Sequence, residues 1–306
     1  MTDKISVVIP VYRDWTRLAR LVGAVEEQAL PPNVELDIVV VDDGSNDGGS
    51  SIVADNPSVT LITLAANAGR AAARNIGFEK ARGRIVMFMD CDCLPGSPKL
   101  FQFHMEAIDR GAVASTGHVF GAGGGFWDRY QQRSSRRRAM QYEQGYQWTG
   151  SSQNLAVLAG AFRAVGGFDL RYRQYGFEDR DLLLRLAQTG HIAWCPEALV
   201  HHMDELHLDI VAKKLSEGAR YSAPLFAHDH PTAYRTLGYG RVDAKRHPWL
   251  RVPARLLGPL AIPAARWLDP WLPGIPFRLA ALLVSLISAL TFLHGTAVRP
   301  PTERKD

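Results

Sequence analysis

Asp90 and Asp92 flank Cys91 directly after an apolar run, residues 84–89 (RIVMFM). On an extended strand the side chains at i and i+2 share a face, so both carboxylates are expected to reach one cation. Magnesium and manganese prefer oxygen ligands and are commonly held by one or two carboxylates plus substrate phosphates. The chemistry open to this pair is to fix a divalent cation that bridges a diphosphate and stabilises it as it leaves. By itself the triplet is a weak signal, because a strand ending in a polar turn spells the same letters.

A second acidic group lies downstream. Glu178-Asp179-Arg180-Asp181 places three acids in four residues ahead of an apolar helical stretch, 182–188. A helix N-terminus favours acids through its dipole, which accounts for one of them. A carboxylate aimed into a site is suited to deprotonate a hydroxyl nucleophile. Residues 196–202 (PEALVHH) then end in His201-His202, and a neutral imidazole is a competent third ligand for manganese.

The elements that must position these groups are legible as apolar runs. Residues 5–11 (ISVVIPV), 35–41 (ELDIVVV), 59–64 and 84–89 read as strands, with helical stretches at 16–28 and 70–81 between them. Unbroken apolar strands are those buried on both faces, as in a mostly parallel sheet flanked by helices. Strands alternating with helices imply an α/β doubly wound half, which binds ligands at the carboxyl ends of its strands. Each of those ends carries a polar cluster: Tyr12-Arg13-Asp14, Asp42-Asp43-Gly44-Ser45, Asn67 with Gly69, and Asp90-Cys91-Asp92. Any one could be ordinary turn chemistry; four on one rim point to a site.

From 113 to 161 the pattern loosens, with glycines at 121 and 123–125 read as a flexible connection rather than a phosphate loop, and arginines at 133 and 136–138 read as a solvated helix face. The three cysteines, Cys91, Cys93 and Cys195, form no CxxC pair and no even framework, so neither a disulfide scaffold nor a zinc knuckle is expected. The N-terminus lacks the pattern of a signal peptide, and a cytoplasmic protein is expected. Residues 241–306 hold ten Lys or Arg against four Asp or Glu. This basic tail is also rich in Leu, Pro and Trp, a mixture suited to an anionic membrane surface rather than nucleic acid. Its apolar run, 279–293, is short for a span, and Ser285, Ser288 and Thr291 are expected to form one polar stripe on an interfacial helix.

Taken in order, ISVVIPVYRD, VVVDDGSNDG, NAGRAAARNIGFEKARG, VMFMDCD, GGFDLRYRQYGFEDRDLLLRL and PEALVHH resemble the inverting family 2 glycosyltransferases of GT-A fold, over about residues 5–202. The resemblance implies a mostly parallel sheet flanked by helices, with a nucleotide-binding half and an acceptor half, over 1–220, followed by a helical C-terminal region, 221–306. It implies that Asp42 and Asp43 recognise the nucleobase and ribose, that Pro10 and Tyr12 wall that pocket with Asn67 and Gly69 on the same rim, and that Arg74 sits near base or diphosphate. Asp92 would be the direct ligand of Mn2+ or Mg2+, with Asp90 nearer the ribose yet within the metal group, and His202 completing it. Asp179, flanked by Glu178, would be the general base. Trp148 and Asn154 would lie on the sugar and acceptor side. Cys91 would be open to oxidation if exposed, and Leu158-Ala159 stand where family members often carry basic residues.

The reaction so implied is a single displacement with inversion, from a nucleotide-diphosphate sugar, UDP favoured, to a glycan or lipid-linked hydroxyl acceptor. The protein is expected at the cytoplasmic membrane surface, serving polysaccharide biosynthesis. A sugar-phosphate nucleotidyltransferase would need a glycine-rich N-terminal loop with Arg and Lys, which Pro10-Val11-Tyr12-Arg13-Asp14 is not. A non-catalytic nucleotide-sugar-binding module would need no base.

Overall fold

Residues 3–298 are described by the computed structural model; Arg299, Arg304 and Lys305 of the basic tail lie outside the described residues. Eight strands form one sheet: β1 (Asp3–Val11), β2 (Val34–Asp42), β3 (Val59–Thr63), β4 (Ile85–Phe88), β5 (Cys93–Pro95), β6 (Ala114–Gly121), β7 (Leu155–Leu158) and β8 (Ile192–His202). Their spatial order is β3-β2-β1-β4-β7-β6-β8-β5. β3, β2, β1 and β4 run parallel, as do β6 and β8. β7 is antiparallel to β4 and β6, and β5 to β8. The four expected strands are all present.

The unbroken apolar runs are explained by two cores. Ile5, Val7 and Ile9 of β1, Ile38 and Val40 of β2 and Ile85 and Met87 of β4 enter one core. Val8, Val39, Val41, Val86 and Phe88 enter the other. Alternation along a strand sends successive side chains to opposite faces, so apolar residues are required at every position. The helix Trp15–Glu26 covers the first face with Leu18, Leu21, Val22 and Val25, spaced for one helical stripe. The helix Arg70–Lys80 covers the second, and a Cβ at Gly77 would stand 2.4 Å from Val8 Cγ1, so only glycine lets this helix lie so close to β1.

Residues 113–161, where the sequence pattern loosens, hold β6, an 18-residue helix Phe126–Glu143, a turn Ser152–Asn154 and β7. The strand signal was masked because Ser115 and Thr116 of β6 are fully buried polar residues. Arg133, Arg136 and Arg137 are exposed on the helix, as a solvated face requires.

The chain divides into two compact units. The first holds the residues up to Gly124, Asp128–Arg171 and Asp179–Asp204; the second holds Gly125–Trp127, Tyr172–Glu178 and the residues from Glu205. The division near 204 rather than 220 follows from the helix Leu208–Arg220, which packs on the helix Phe277–Ala297 within the second unit. That unit is helical and centred on Phe177, Phe226, Tyr234, Tyr239 and Phe292. Its last helix has 21 residues, longer than the apolar run alone, and is long and apolar enough to cross a membrane, with 44% of its apolar window buried. The expected polar stripe does not form. A three-residue spacing drifts by about 60° per step around an α-helix, so Ser285 is exposed while Thr291 is buried. Both hydroxyls bond back to their own helix, on Ala281 O and Ile287 O at 2.7 Å each.

One polar network anchors the first unit. Asp37, 3% exposed, accepts from Ser6 Oγ at 2.6 Å, Arg82 N at 3.1 Å and Arg82 Nη2 at 2.5 Å, while Ser6 Oγ also accepts from Gly83 N at 2.8 Å. Burial pushes the Asp37 carboxyl up, but these donors outweigh it and hold the group below its ordinary value. Asp37→Ala is expected to cost about 2–3 kcal/mol in urea denaturation at neutral pH, because it strands buried donors. A carboxyl lowered in the folded state stabilises above the unfolded pKa and loses that contribution as pH falls through the folded one. The wild-type and variant stabilities should therefore converge in acid.

Candidate active site

The site is built where β1, β2 and β4 end and β8 returns. Asp42 and Asp43 close β2, and both are buried. Asp42 Oδ1 accepts from Ser45 N at 2.9 Å. Asp43 accepts from Ala68 N at 2.7 Å and Gly69 N at 3.0 Å, fixing the loop that carries Asn67. That loop passes so close that a Cβ at Gly44 would lie 2.4 Å from Ala66 C, and Gly44 has φ +74°. Burial raises the Asp43 pKa against those amide donors, and Asp42 beside it adds to the rise. Asn67 is exposed and Gly69 half-buried at the start of the helix Arg70–Lys80. Pro10 is buried in β1, while Tyr12 is 45% exposed with the Arg13 guanidinium 5.0 Å from its ring centre.

The Asp90-Cys91-Asp92 triplet does not lie on a strand. β4 ends at Phe88, and Cys93 N donates to Asp90 O at 3.0 Å, closing a turn ahead of β5. The same-face rule for i and i+2 therefore does not operate, and the two carboxylates go to different partners. Asp90 Oδ1 accepts from Arg74 Nη2 at 2.5 Å. Asp92 Oδ2 lies 3.3 Å from His202 Nε2. Cys91 between them has its thiol pushed up by burial and by both aspartates, so it stays protonated rather than forming a reactive thiolate.

Asp92, His202 and Asp204 each offer one ligand atom, and these atoms lie within 4.8 Å of one another. Asp90 does not join this group, because Arg74 holds it. His202, not His201, faces Asp92, since adjacent strand residues point to opposite faces. Burial pushes the Asp92 carboxyl up, but the His202 hydrogen bond and charge bring it down to about 2. Burial lowers His202 in turn, and Asp92 more than restores it, leaving it raised. Two carboxylates and one imidazole in a partly buried cluster fit a manganese or magnesium ion, the imidazole favouring manganese. Arg17 donates to Asp204 at 3.3 Å and to Asp14 at 2.9 Å, orienting the third acid.

Asp179 sits at the start of the helix Glu178–Leu186, with Glu178 half-buried beside it. It does not cap its own helix. Its Oδ2 accepts from Ser152 N at 3.1 Å and Ser151 Oγ at 3.2 Å, both on the turn before β7. Its Oδ1 is buried without a hydrogen-bond partner and lies 3.9 Å from Arg74 Nη1. Burial raises the Asp179 pKa, but the Arg74 charge and the serine donors prevail, so it is held below its ordinary value and is ionised at neutral pH. Arg74, 1% exposed, thus bridges Asp90 and Asp179. Asn75 next to it clamps the backbone of Phe168, donating to Phe168 O at 2.8 Å and accepting from Phe168 N at 2.9 Å.

Asn154 does not reach an acceptor side. It is fully buried, its Nδ2 donates to His118 O and Ala198 O at 2.9 Å each, and its Oδ1 bonds His104 Nε2 at 2.8 Å. Every polar atom it has is spent on tying β6, β8 and the helix Leu100–Asp109 together. Trp148 is half-buried and packs against the second core. Sequence reasoning missed Asp204, Arg17 and Asn75 as site residues, and it placed Ser151 and Ser152 only within the stretch 148–154 expected on the sugar and acceptor side, not as partners of Asp179. Asp204 stands two residues beyond His202, a spacing that could have marked it.

Comparison with known proteins matches this geometry to one family. Residues 6–166 match the family model described as glycosyl transferase family 2. The chain is 31% identical over 117 residues to the glycosyltransferase AglE of Haloferax volcanii, covering 37% of this chain and 36% of that one. It is 37% identical over 226 residues to an undecaprenyl-phosphate 4-deoxy-4-formamido-L-arabinose transferase of Pseudomonas syringae pv. syringae, covering 67% of this chain and 59% of that one. The chain thus spans less than two thirds of the length of these relatives. Among solved structures, the mannosyltransferase PcManGT of Pyrobaculum calidifontis, in complex with GDP-Man and Mn2+, superposes with a TM-score of 0.62 at 18% identity, covering 95% of this chain and 86% of that one. Residues 1–349 of S. aureus TarS give a TM-score of 0.53 at 15% identity, covering 96% and 90%. These likenesses show a shared GT-A fold. With over half its length matched by the family model, the chain belongs to glycosyl transferase family 2.

Proposed function

We propose that the protein transfers a sugar from a nucleoside-diphosphate donor to an acceptor hydroxyl with inversion at the anomeric carbon. The observation that carries this reading is the Arg74 bridge, which couples the first aspartate of the triplet to a buried, ionised Asp179 whose Oδ1 accepts no hydrogen bond. Asp179 Oδ1 takes the acceptor proton, while Ser151 and Ser152 hold Oδ2 so that the carboxylate does not rotate away. The acceptor oxygen attacks the anomeric carbon, and the bond to the diphosphate breaks. Asp92, His202 and Asp204 would hold Mn2+ or Mg2+, which when bound supplies positive charge to the departing diphosphate. Asp42, Asp43, Pro10, Tyr12 and the Asn67 loop form the rim suited to the nucleotide, with a uridine nucleotide favoured. Relatives named for undecaprenyl-phosphate support a lipid-linked acceptor, and hence work at the cytoplasmic face of a membrane.

Asp179→Asn should lower transfer by about 10²–10⁴-fold, the usual worth of a general base, while donor binding measured by calorimetry stays within error; retained turnover would remove Asp179 from that role. Titrating Mn2+ and UDP tests the cation cluster. Asp92→Ala should abolish metal-dependent UDP binding, and Asp204→Asn should weaken Mn2+ affinity by about 10–100-fold. An unchanged Mn2+ affinity in Asp204→Asn would leave Asp92 and His202 as the only protein ligands of this cluster.

A further inference from the structure

Within the second unit, residues 249–274 form an almost continuous helical path: a turn Pro248–Leu250, the helix Arg251–Leu257, a turn Gly258–Leu260, the helix Ala261–Leu268 and a turn Asp269–Gly274. One face of this path is made of small residues. Ala254, Gly258, Ala261 and Ala265 are buried, and a Cβ at Gly258 would lie 2.3 Å from His294 Nδ1 of the helix Phe277–Ala297. His294 Nδ1 also lies 3.1 Å from Ala254 O.

The opposite face is apolar as well, and none of the described residues of the unit covers it. Trp249, Val252, Leu256, Leu260, Trp267 and Trp271 recur at helical spacing and are 58% to 72% exposed. At 3.6 residues per turn these six fall within an arc of about 100°, diametrically away from the alanine face. Such a stripe is not the random scatter of single apolar residues normal on a soluble surface. The flank between the two faces carries Arg251, Arg255 and Arg266, all exposed, and Arg278 is exposed on the next helix. Residues 244–268 contain no Asp or Glu.

We infer that this outward stripe, Trp249 to Trp271, seats the second unit in the headgroup region of an anionic lipid bilayer, with its arginines on the lipid phosphates. Charge selects this occupant. An arginine flank in which Asp209, 3.7 Å from Arg266, and Asp269 are the nearby acids keeps a positive excess, and beside a tryptophan and leucine stripe it complements anionic headgroups over an acyl boundary, whereas a second copy would bring like charge against like. The helix lies on the surface rather than across it, because its alanine face is already committed to the Phe277–Ala297 helix. This deepens the membrane-surface reading above, and it is tested without donor, acceptor or turnover, so the two can fail separately.

The experiment is flotation of the full-length protein with vesicles of phosphatidylcholine alone or mixed with phosphatidylglycerol, at low and high salt. Wild type should float with the anionic vesicles, weakly or not at all with neutral ones, and lose binding as salt rises. The triple variant Trp249→Ala, Trp267→Ala, Trp271→Ala should bind at least about tenfold more weakly, and each of Arg255→Gln and Arg266→Gln about fivefold more weakly. All these side chains are exposed, so unchanged circular dichroism and melting would exclude misfolding, and a second apolar-to-acid variant, Leu256→Glu, gives the same reading by a different change. Equal flotation of wild type and the triple variant would overturn the proposal. So would a wild type that ignores anionic vesicles but forms a dimer in light scattering which the triple variant loses.

Discussion

Arg74 is the constraint on which the site turns. A guanidinium 1% exposed is tolerable only if its charge is balanced. It is balanced by Asp90 at 2.5 Å and Asp179 at 3.9 Å, with the Phe168 ring centre 5.3 Å away. That arrangement ties the end of β4 to the start of the helix Glu178–Leu186, two elements almost 90 residues apart in sequence. It also divides labour within the triplet. Asp90 is spent as a counter-ion, so the cluster that could hold a cation forms around Asp92 and is completed from β8 by His202 and from just beyond it by Asp204. Asn75 supports the arrangement from the same helix by fixing the Phe168 backbone.

What the sequence made legible follows from how strongly each feature is forced. β1, β2 and β4 lie between two cores, so nearly every buried position is apolar, with Ser6 and Asp37 among the exceptions, and the runs stood out. β6 and β7 were missed because Ser115, Thr116 and Asn154 are buried polar residues satisfied by partners far away in sequence, such as His104. No local pattern announces such a network. The triplet was recognised, yet its geometry was misjudged, because the end of a strand cannot be told from the turn after it by composition. Asn154 was assigned from its place in a motif, and its three hydrogen bonds turn out to hold strands together. Asp204 lies outside any periodic element, two residues beyond His202, and the folded chain brings both to Asp92.

The second unit shows a different limit. Its apolar residues serve two faces of one helical path, and a hydropathy run cannot separate the alanines that pack inward from the tryptophans and leucines that face out. Phase around the helix separates them. Small residues on the inner face allow close approach to the Phe277–Ala297 helix, and that close approach is what leaves the bulky residues pointing outward. Hydropathy had instead drawn attention to residues 279–293, where the hydroxyls of Ser285 and Thr291 are taken up by their own helix and make no face at all.

The state of Asp179 bears on the kind of acceptor the site is made for. A phosphate oxygen is already ionised at neutral pH and needs no base, whereas a hydroxyl must lose its proton as it attacks. Leaving a buried carboxylate oxygen unpartnered costs about 1–3 kcal/mol, and Asp179 Oδ1 carries that cost while Oδ2 is fully engaged. Ser151 and Ser152 could have been matched by a third donor at Oδ1, and the described residues supply none within hydrogen-bond distance. The distant charge of Arg74 keeps the group ionised without occupying the oxygen. An ionised, immobilised carboxylate with one oxygen free of hydrogen bonds suits proton abstraction from a hydroxyl. On the proposed reading Asp179 serves a hydroxyl acceptor, and a phosphate oxygen, such as that of the undecaprenyl-phosphate for which relatives are named, would attack without its help.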